Sequence, residues 1–221
     1  MNDTTKTCKG LILDFGGVIS RTLFETHAQT ERILELKAGS LDWFGPFDPS
    51  NDPLWQSMQR DEITERDYWL TRSRGVGTML GENWSTMAEF VQRARGNGDY
   101  KDFIRPEALN AVSRIKTAKI KIAVLSNELD LFYGADFRQT LPFLENFDVI
   151  EDATYSQILK PAAAAYENCA EKLGLKPQEC VFVDDQKRNI EGANAVGMET
   201  VLFDVHNPAK SYDQALALFG L

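Results

Sequence analysis

Short apolar runs, each closed by a polar residue, alternate along this chain with longer stretches in which apolar residues recur every three or four positions. Gly10–Leu13 is such a run, closed by Asp14 and the pair Gly16-Gly17. Ile120–Leu125 ends at Ser126-Asn127, Phe147–Glu151 is a third run, Cys180–Val183 ends at Asp184-Asp185, and Thr200–Phe203 is a fifth. Runs this short with no helical period predict buried strands. Between them lie amphipathic patterns. Arg105-Pro106 precedes a helix with Leu109, Val112 and Ile115 on one face, and Lys160-Pro161 opens one with Tyr166, Cys169, Ala170 and Leu173. Gly174 is the predicted stop of the second, with Pro177 just beyond. A helix after Asp185 runs to Val196 and stops at Gly197, and Tyr212–Phe219 closes the chain. Strand alternating with helix predicts an α/β fold, a Rossmann-like doubly wound parallel sheet covered on both faces.

The stretch after Ile19 breaks this rhythm. From about Ser20 to Asn97 helical signals dominate. They comprise Thr26–Lys37 with Gly39 as stop, Asp52 capping a helix at Pro53, Thr64 and Asp67 opening another, and Ser85–Arg95 ended by Gly96. We expect an α/β core over 1–19 and 100–221 and an inserted α-helical cap over 20–99. The cap aromatics Trp43, Phe44, Phe47, Trp55 and Trp69 either build its own small core or line a pocket, with core packing favoured.

Parallel strands share a direction, so Asp14, Ser126-Asn127, Lys160 and Asp184-Asp185 can converge at one edge of the sheet. The set offers a nucleophile, a hydroxyl, a fixed cation and a metal site. Three ionised carboxylates cannot crowd together uncompensated, which calls for a hard divalent cation; Mg²⁺ suits oxygen ligands and phosphate. The formal net charge of −9 over 221 residues, with no basic run, argues against nucleic acid as a partner. Cys8, Cys169 and Cys180 lack metal-ligand spacing and are expected as reduced thiols of a cytoplasmic protein. Met1–Lys9 has no apolar signal core, and no stretch is apolar enough to span a membrane, so the sequons at Asn2 and Asn83 carry little weight. A monomer or homodimer acting on a small phosphorylated molecule, without a membrane partner, is the expected form.

Four stretches together resemble the haloacid dehalogenase (HAD) superfamily with a helical cap. These are Asp14-Phe15-Gly16-Gly17-Val18, Ser126 at a strand end, Lys160-Pro161, and Val183-Asp184-Asp185 through Asn189. Leu125-Ser126-Asn127, the run Asn189-Ile190-Glu191-Gly192-Ala193-Asn194, and Asp61–Thr64 leading to Tyr68-Trp69 are similar to its α-D-glucose-1-phosphate phosphatase-like branch. The resemblance implies that Asp14 attacks phosphorus to give an aspartyl-phosphate. It also implies that the Gly16 carbonyl and Asp185 ligate Mg²⁺ with Asp184 beside them. Ser126 and the Asn127 amide would hold phosphoryl oxygens, Lys160 would neutralise developing charge, and Asn189 would support the site.

Gly16 departs from the commoner family pattern, in which an aspartate there protonates the leaving oxygen. Its loss could cost on the order of a hundredfold unless another group serves. His27 and Arg21 are the nearby substitutes, although a lone histidine here is expected at the surface. Adding a carboxylate at Gly16 tests the point provided φ is not positive there. Glycine at this position also resembles true haloacid dehalogenases, which use the same aspartate without metal but carry Ser-x-Asn where this chain has Asp184-Asp185. A non-catalytic HAD domain that binds a metabolite or protein is the third reading. The retained Asp14, Lys160 and acidic pair would burden a purely structural domain, so the phosphatase reading is favoured.

Overall fold

The structure, a computed structural model, describes residues 8–95 and 103–221. The Gly96 helix stop, the Asn2 sequon and the expected domain boundary at 99–100 lie outside these residues. In chain order the strands and helices are β1 (Gly10–Leu13), α1 (His27–Ile33), α2 (Pro53–Gln59), α3 (Glu65–Met79), α4 (Met87–Arg95) and α5 (Pro106–Thr117). There follow β2 (Lys121–Ser126), α6 (Leu129–Tyr133), β3 (Val149–Asp152), α7 (Ala153–Ser156), α8 (Ala163–Lys172), β4 (Cys180–Asp184), α9 (Lys187–Ala195), β5 (Glu199–Leu202) and α10 (Pro208–Ala217).

The five strands form one parallel sheet in the order β3-β2-β1-β4-β5. Strand β1 is central because Leu11, Ile12 and Leu13 are apolar on both faces and fully buried. Alternation along each strand divides the core in two. Ile12, Ala123, Leu125 and Phe182 pack on Tyr166, Cys169 and Ala170 of α8 and Ile190 and Ala193 of α9. On the other side α5 contacts β2 and α10, while α10 contacts β5. Helix α8 stops where Gly174 turns left-handed (φ 68): Leu175 N donates to Ala170 O and Gly174 N to Glu171 O. The chain leaves β1 for β2 and β3 on one side, then returns to β4 on the other. The crevice between β1 and β4 is therefore the switch point where an open α/β sheet offers a site.

The chain divides into two units, one of Met1–Arg21, Tyr100–Asp130 and Asp136–Leu221, the other of Thr22–Asp99 with Leu131–Ala135. The second segment of the helical unit, Leu131–Ala135, lies in a stretch the sequence assigned to the core. Phe132 and Tyr133 explain it, since both pack against the apolar cluster of the helical unit.

Within that unit Phe24 meets Trp43 and Trp55 edge-on at 5.7 and 5.4 Å and Trp69 at 5.1 Å. Trp43 and Trp69 are buried, Phe47 and Trp55 pack against the cluster, and Phe44 remains 40% exposed. Asp52 caps α2 through Trp55 N (2.9 Å) and also accepts from Tyr68 Oη (2.8 Å) and the Arg72 guanidinium. At α3, Thr64 and Asp67 exchange both bonds of a capping box.

Helix α1 ends at Ile33 rather than at Lys37. Glu35 takes φ 55, Leu36 N donates back to Glu31 O, and the Glu31 carboxylate accepts from Gly39 N and Leu41 N. His27, expected at the surface, is only 6% exposed, with its ring 4.3 Å from that of Trp43. Cys8, Cys169 and Cys180 are buried thiols outside any disulfide. Among the described residues no helix is long and apolar enough to cross a membrane.

Candidate active site

Asp14 is the first residue beyond β1, and Asp14 N donates to Val183 O of β4 (2.9 Å). The backbone then winds into one tight turn. Gly16 keeps an ordinary extended conformation (φ −70, ψ 124), Gly17 is left-handed (φ 79), and Ser20 N closes the turn on Phe15 O (2.9 Å). A side chain at Gly17 would strain the turn, whereas a Cβ at Gly16 would meet only Asp14 Oδ2, at 4.0 Å.

Lys160 is 5% exposed and reaches two carboxylates. Its Nζ donates to Asp14 Oδ1 (2.7 Å) and to Asp184 Oδ2 (2.6 Å). Burial alone would lower the lysine pKa, but Asp14 and then Asp184 more than offset it and hold the ammonium protonated above its ordinary range. Asp184 is 0% exposed, and its carboxylate also accepts from Gln186 N (2.8 Å) and from Asn189 Nδ2 (3.0 Å to each oxygen). One carboxylate oxygen each of Asp14, Asp184 and Asp185 lie within 4.8 Å of one another.

The Lys160 backbone is fixed by Asn127: Lys160 N donates to Asn127 Oδ1 (2.7 Å), and Asn127 Nδ2 donates to Lys160 O (3.1 Å). Asn127 was expected to contribute its amide to the ligand; its side chain has this further structural task. Gly192 lets α9 approach the same segment, because a Cβ there would sit 2.7 Å from Pro161 O and 2.8 Å from Tyr166 Oη. Ser126 is buried at the end of β2, one residue past Leu125, on the same sheet edge as Asp14. Asp14, Lys160, Asp184, Asp185 and Asn189 thus form one cluster, with Asn127 bonded to it and Ser126 on the shared edge.

Arg21 and His27 are the two candidate substitutes for an acid at Gly16. Arg21 is exposed, with its backbone N donating to Phe103 O (2.7 Å). His27 belongs to the helical unit, and burial pushes its pKa down to about 4, so it is neutral at pH 7 and poorly suited to donate a proton.

Three carboxylates, two of them bonded to the Lys160 ammonium, meet at the strand ends. An all-oxygen donor set of this kind fits a hard divalent cation. Asn189 Oδ1, buried with no hydrogen-bond partner, fits it too, as an acceptor for a metal-bound water.

A doubly wound sheet with acidic strand ends and a helical insertion after its first strand defines a class of α/β hydrolases. The family model for haloacid dehalogenase-like hydrolases matches residues 8–197, and the chain belongs to that family. It is 31% identical over 108 residues to phosphatase MT3486 of Mycobacterium tuberculosis, covering 48% of this chain and 50% of that protein. It is 26% identical over 228 residues to (S)-2-haloacid dehalogenase 4A of Burkholderia cepacia, covering 97% of this chain and 90% of that one. The L-2-haloacid dehalogenase structure from Xanthobacter autotrophicus shares the fold, with TM-score 0.60, 19% identity, and coverage of 89% of this chain and 78% of that one. The chain spans half the length of the mycobacterial relative, and 10% and 24% of two mouse relatives.

Proposed function

We propose that this hydrolase is a Mg²⁺-dependent phosphatase that cleaves a small phosphate monoester through an aspartyl-phosphate on Asp14. The observation that carries the reading is the buried Lys160 ammonium bonded to both Asp14 and Asp184, with Asp185 completing the acidic cluster. A haloacid carries its own carboxylate, which three clustered carboxylates would repel in the absence of a metal; with a cation held there, a phosphate dianion would be accommodated.

Asp14, Asp185 and the Gly16 carbonyl would hold Mg²⁺, with Asp184 beside them. When bound, the ion neutralises phosphoryl charge and orients the ester for attack. Lys160, bonded to Asp14, orients its carboxylate and adds a fixed positive charge against the transferring group. Ser126 and the Asn127 amide would donate to phosphoryl oxygens. A carboxylate oxygen of Asp14 attacks phosphorus, the ester P–O bond breaks, and the leaving oxygen, where it needs a proton, takes it from solvent water. A second water then attacks phosphorus and gives up a proton to solvent, the P–O bond to Asp14 breaks with Asp14 regenerated as carboxylate, and phosphate departs. With no carboxylate at Gly16, leaving groups that depart without a proton are favoured. That preference suits a sugar 1-phosphate, whose anomeric oxygen is a weaker base than a primary alkoxide.

The test is a phosphate-ester panel run with and without Mg²⁺ beside a chloride-release assay on 2-haloacids. Mg²⁺-dependent phosphate release, with a phosphoryl adduct on Asp14 in quenched reactions, is expected. Chloride release that ignores Mg²⁺ would establish the dehalogenase reading instead.

A further inference from the structure

The turn that follows Asp14 is held by two residues distant in sequence. Arg105, 3% exposed, donates from Nε to Gly17 O (3.0 Å) and from its backbone N to Ile19 O (3.0 Å). Tyr212, 2% exposed, donates from Oη to Val18 O (3.0 Å). The two are linked through Phe203. The Arg105 guanidinium lies 5.6 Å from the Phe203 ring centre, and Tyr212 meets that ring edge-on at 5.3 Å. Phe203 N in turn donates to the backbone O of Asp184 (2.9 Å), so the column runs from the end of β4 to the turn that follows Asp14. Since Ser20 N takes Phe15 O, the carbonyls of residues 15, 17, 18 and 19 are all bonded. None of these bonds takes the Gly16 carbonyl.

We infer that Arg105 and Tyr212 are positioning residues that hold the Phe15–Ile19 turn so that the Gly16 carbonyl stays presented to the cation at Asp14 and Asp185. This rests on the metal site proposed above. A carbonyl is a ligand only while its peptide plane is fixed. Gly16-Gly17 is the most pliable peptide pair the chain could place there, so the rigidity must come from outside the turn. A buried arginine and a buried tyrosine hydroxyl supply it, and the hydroxyl stays protonated because burial pushes the Tyr212 pKa up. Partners of this outer kind typically alter metal affinity by roughly ten- to a hundredfold when removed.

Calorimetry on the full chain, with Mg²⁺ alone as the probe, tests this. Tyr212→Phe deletes only the hydroxyl and keeps the ring against Phe203. Arg105→Met deletes the Gly17 bond. Tyr68→Phe deletes a buried hydroxyl bond in the other unit and controls for lost stability. Mg²⁺ binding should weaken roughly tenfold in Tyr212→Phe and at least as much in Arg105→Met, with Tyr68→Phe at wild type. If Arg105→Met does not fold, Tyr212→Phe decides alone. Asp185→Asn separates the two levels of the argument. If it weakens Mg²⁺ binding while Tyr212→Phe binds as wild type, positioning is overturned and the metal site stands. If Asp185→Asn also binds as wild type, the metal site falls and the inference with it.

Discussion

Replacing Gly16 with Asp is the most informative single change, because the structure lets the substitution fold. Its backbone lies at φ −70, ψ 124, where any residue sits without strain. The added Cβ meets only Asp14 Oδ2, at 4.0 Å. Loss of glycine from the unfolded chain contributes about 0.4–1 kcal/mol of stability. Against it stands the repulsion of adding a fourth carboxylate to a cluster of three. That repulsion raises the pKa of the newcomer, which suits a group meant to donate a proton.

A positioned acid is worth roughly 10²–10⁴ in rate on a leaving group that needs a proton, or about 3–5 kcal/mol of barrier. On a nitrophenyl phosphate, whose leaving group departs as the anion, it is worth almost nothing. At saturating Mg²⁺, kcat/KM across esters from nitrophenyl to primary alkyl should fall steeply with leaving-group pKa in the wild type. The slope should flatten in Gly16→Asp, chiefly because the alkyl esters gain. A wild-type rate that ignores leaving-group pKa, with chemistry shown to be rate-limiting, would refute the reasoning. It would mean that another residue already supplies the proton.

Asp14→Asn should cut turnover on the order of 10⁴-fold or more, with the thermal midpoint shifted by only a few degrees; retained activity would exclude the covalent route. Lys160→Met takes the ammonium away from two carboxylates, one of them fully buried, and should cost roughly 3–5 kcal/mol in urea unfolding, so an unchanged midpoint would show that the ion pairs contribute nothing. His27 has a pKa of about 4 in the folded chain against its ordinary 6.5, so between those values the unfolded chain binds a proton that the native chain does not. Stability should therefore fall as pH drops through that window, by roughly 3 kcal/mol. Unfolding free energies at pH 7.5 and 4.5 should differ less by about that amount in His27→Phe, and equal pH dependence in both proteins would contradict it.

The parts of this fold that the sequence makes legible are those set by neighbours along the chain. Strand β1 and Asp14 are visible because a strand buried on both faces is an unbroken apolar run, and the residue that ends it is placed at the sheet edge. The stops at Gly174 and Gly197 are visible because a left-handed position favours glycine. The capping box at Thr64 is visible because its two bonds join residues three apart. Helix α1 shows where this fails. Periodicity carries it to Lys37, yet the chain turns away after Ile33 because the Glu31 carboxylate binds amides eight and ten residues on. Nothing in the local pattern distinguishes that glutamate from one pointing at solvent. The burial of His27 is hidden for the same reason, since it depends on Trp43, well away along the chain.

The candidate site divides along the same line. Which groups reach the sheet edge follows from strand ends and can be read in order. How they are held there depends on pairs such as Asn127 with Lys160, Arg105 with Gly17 and Tyr212 with Val18, separated by 33, 88 and 194 positions. Each such bond joins an ordinary residue type to a backbone atom, and a backbone atom leaves no mark on the sequence. Gly192 is the intermediate case. It is legible as a glycine within the fourth motif, but its reason, the close approach of Pro161 O and Tyr166 Oη, exists only once α8 and α9 are side by side. Substitution there would push α9 away from Lys160. The chemistry proposed for this site therefore rests on residues whose importance the sequence announces, and its geometry on residues whose importance it does not.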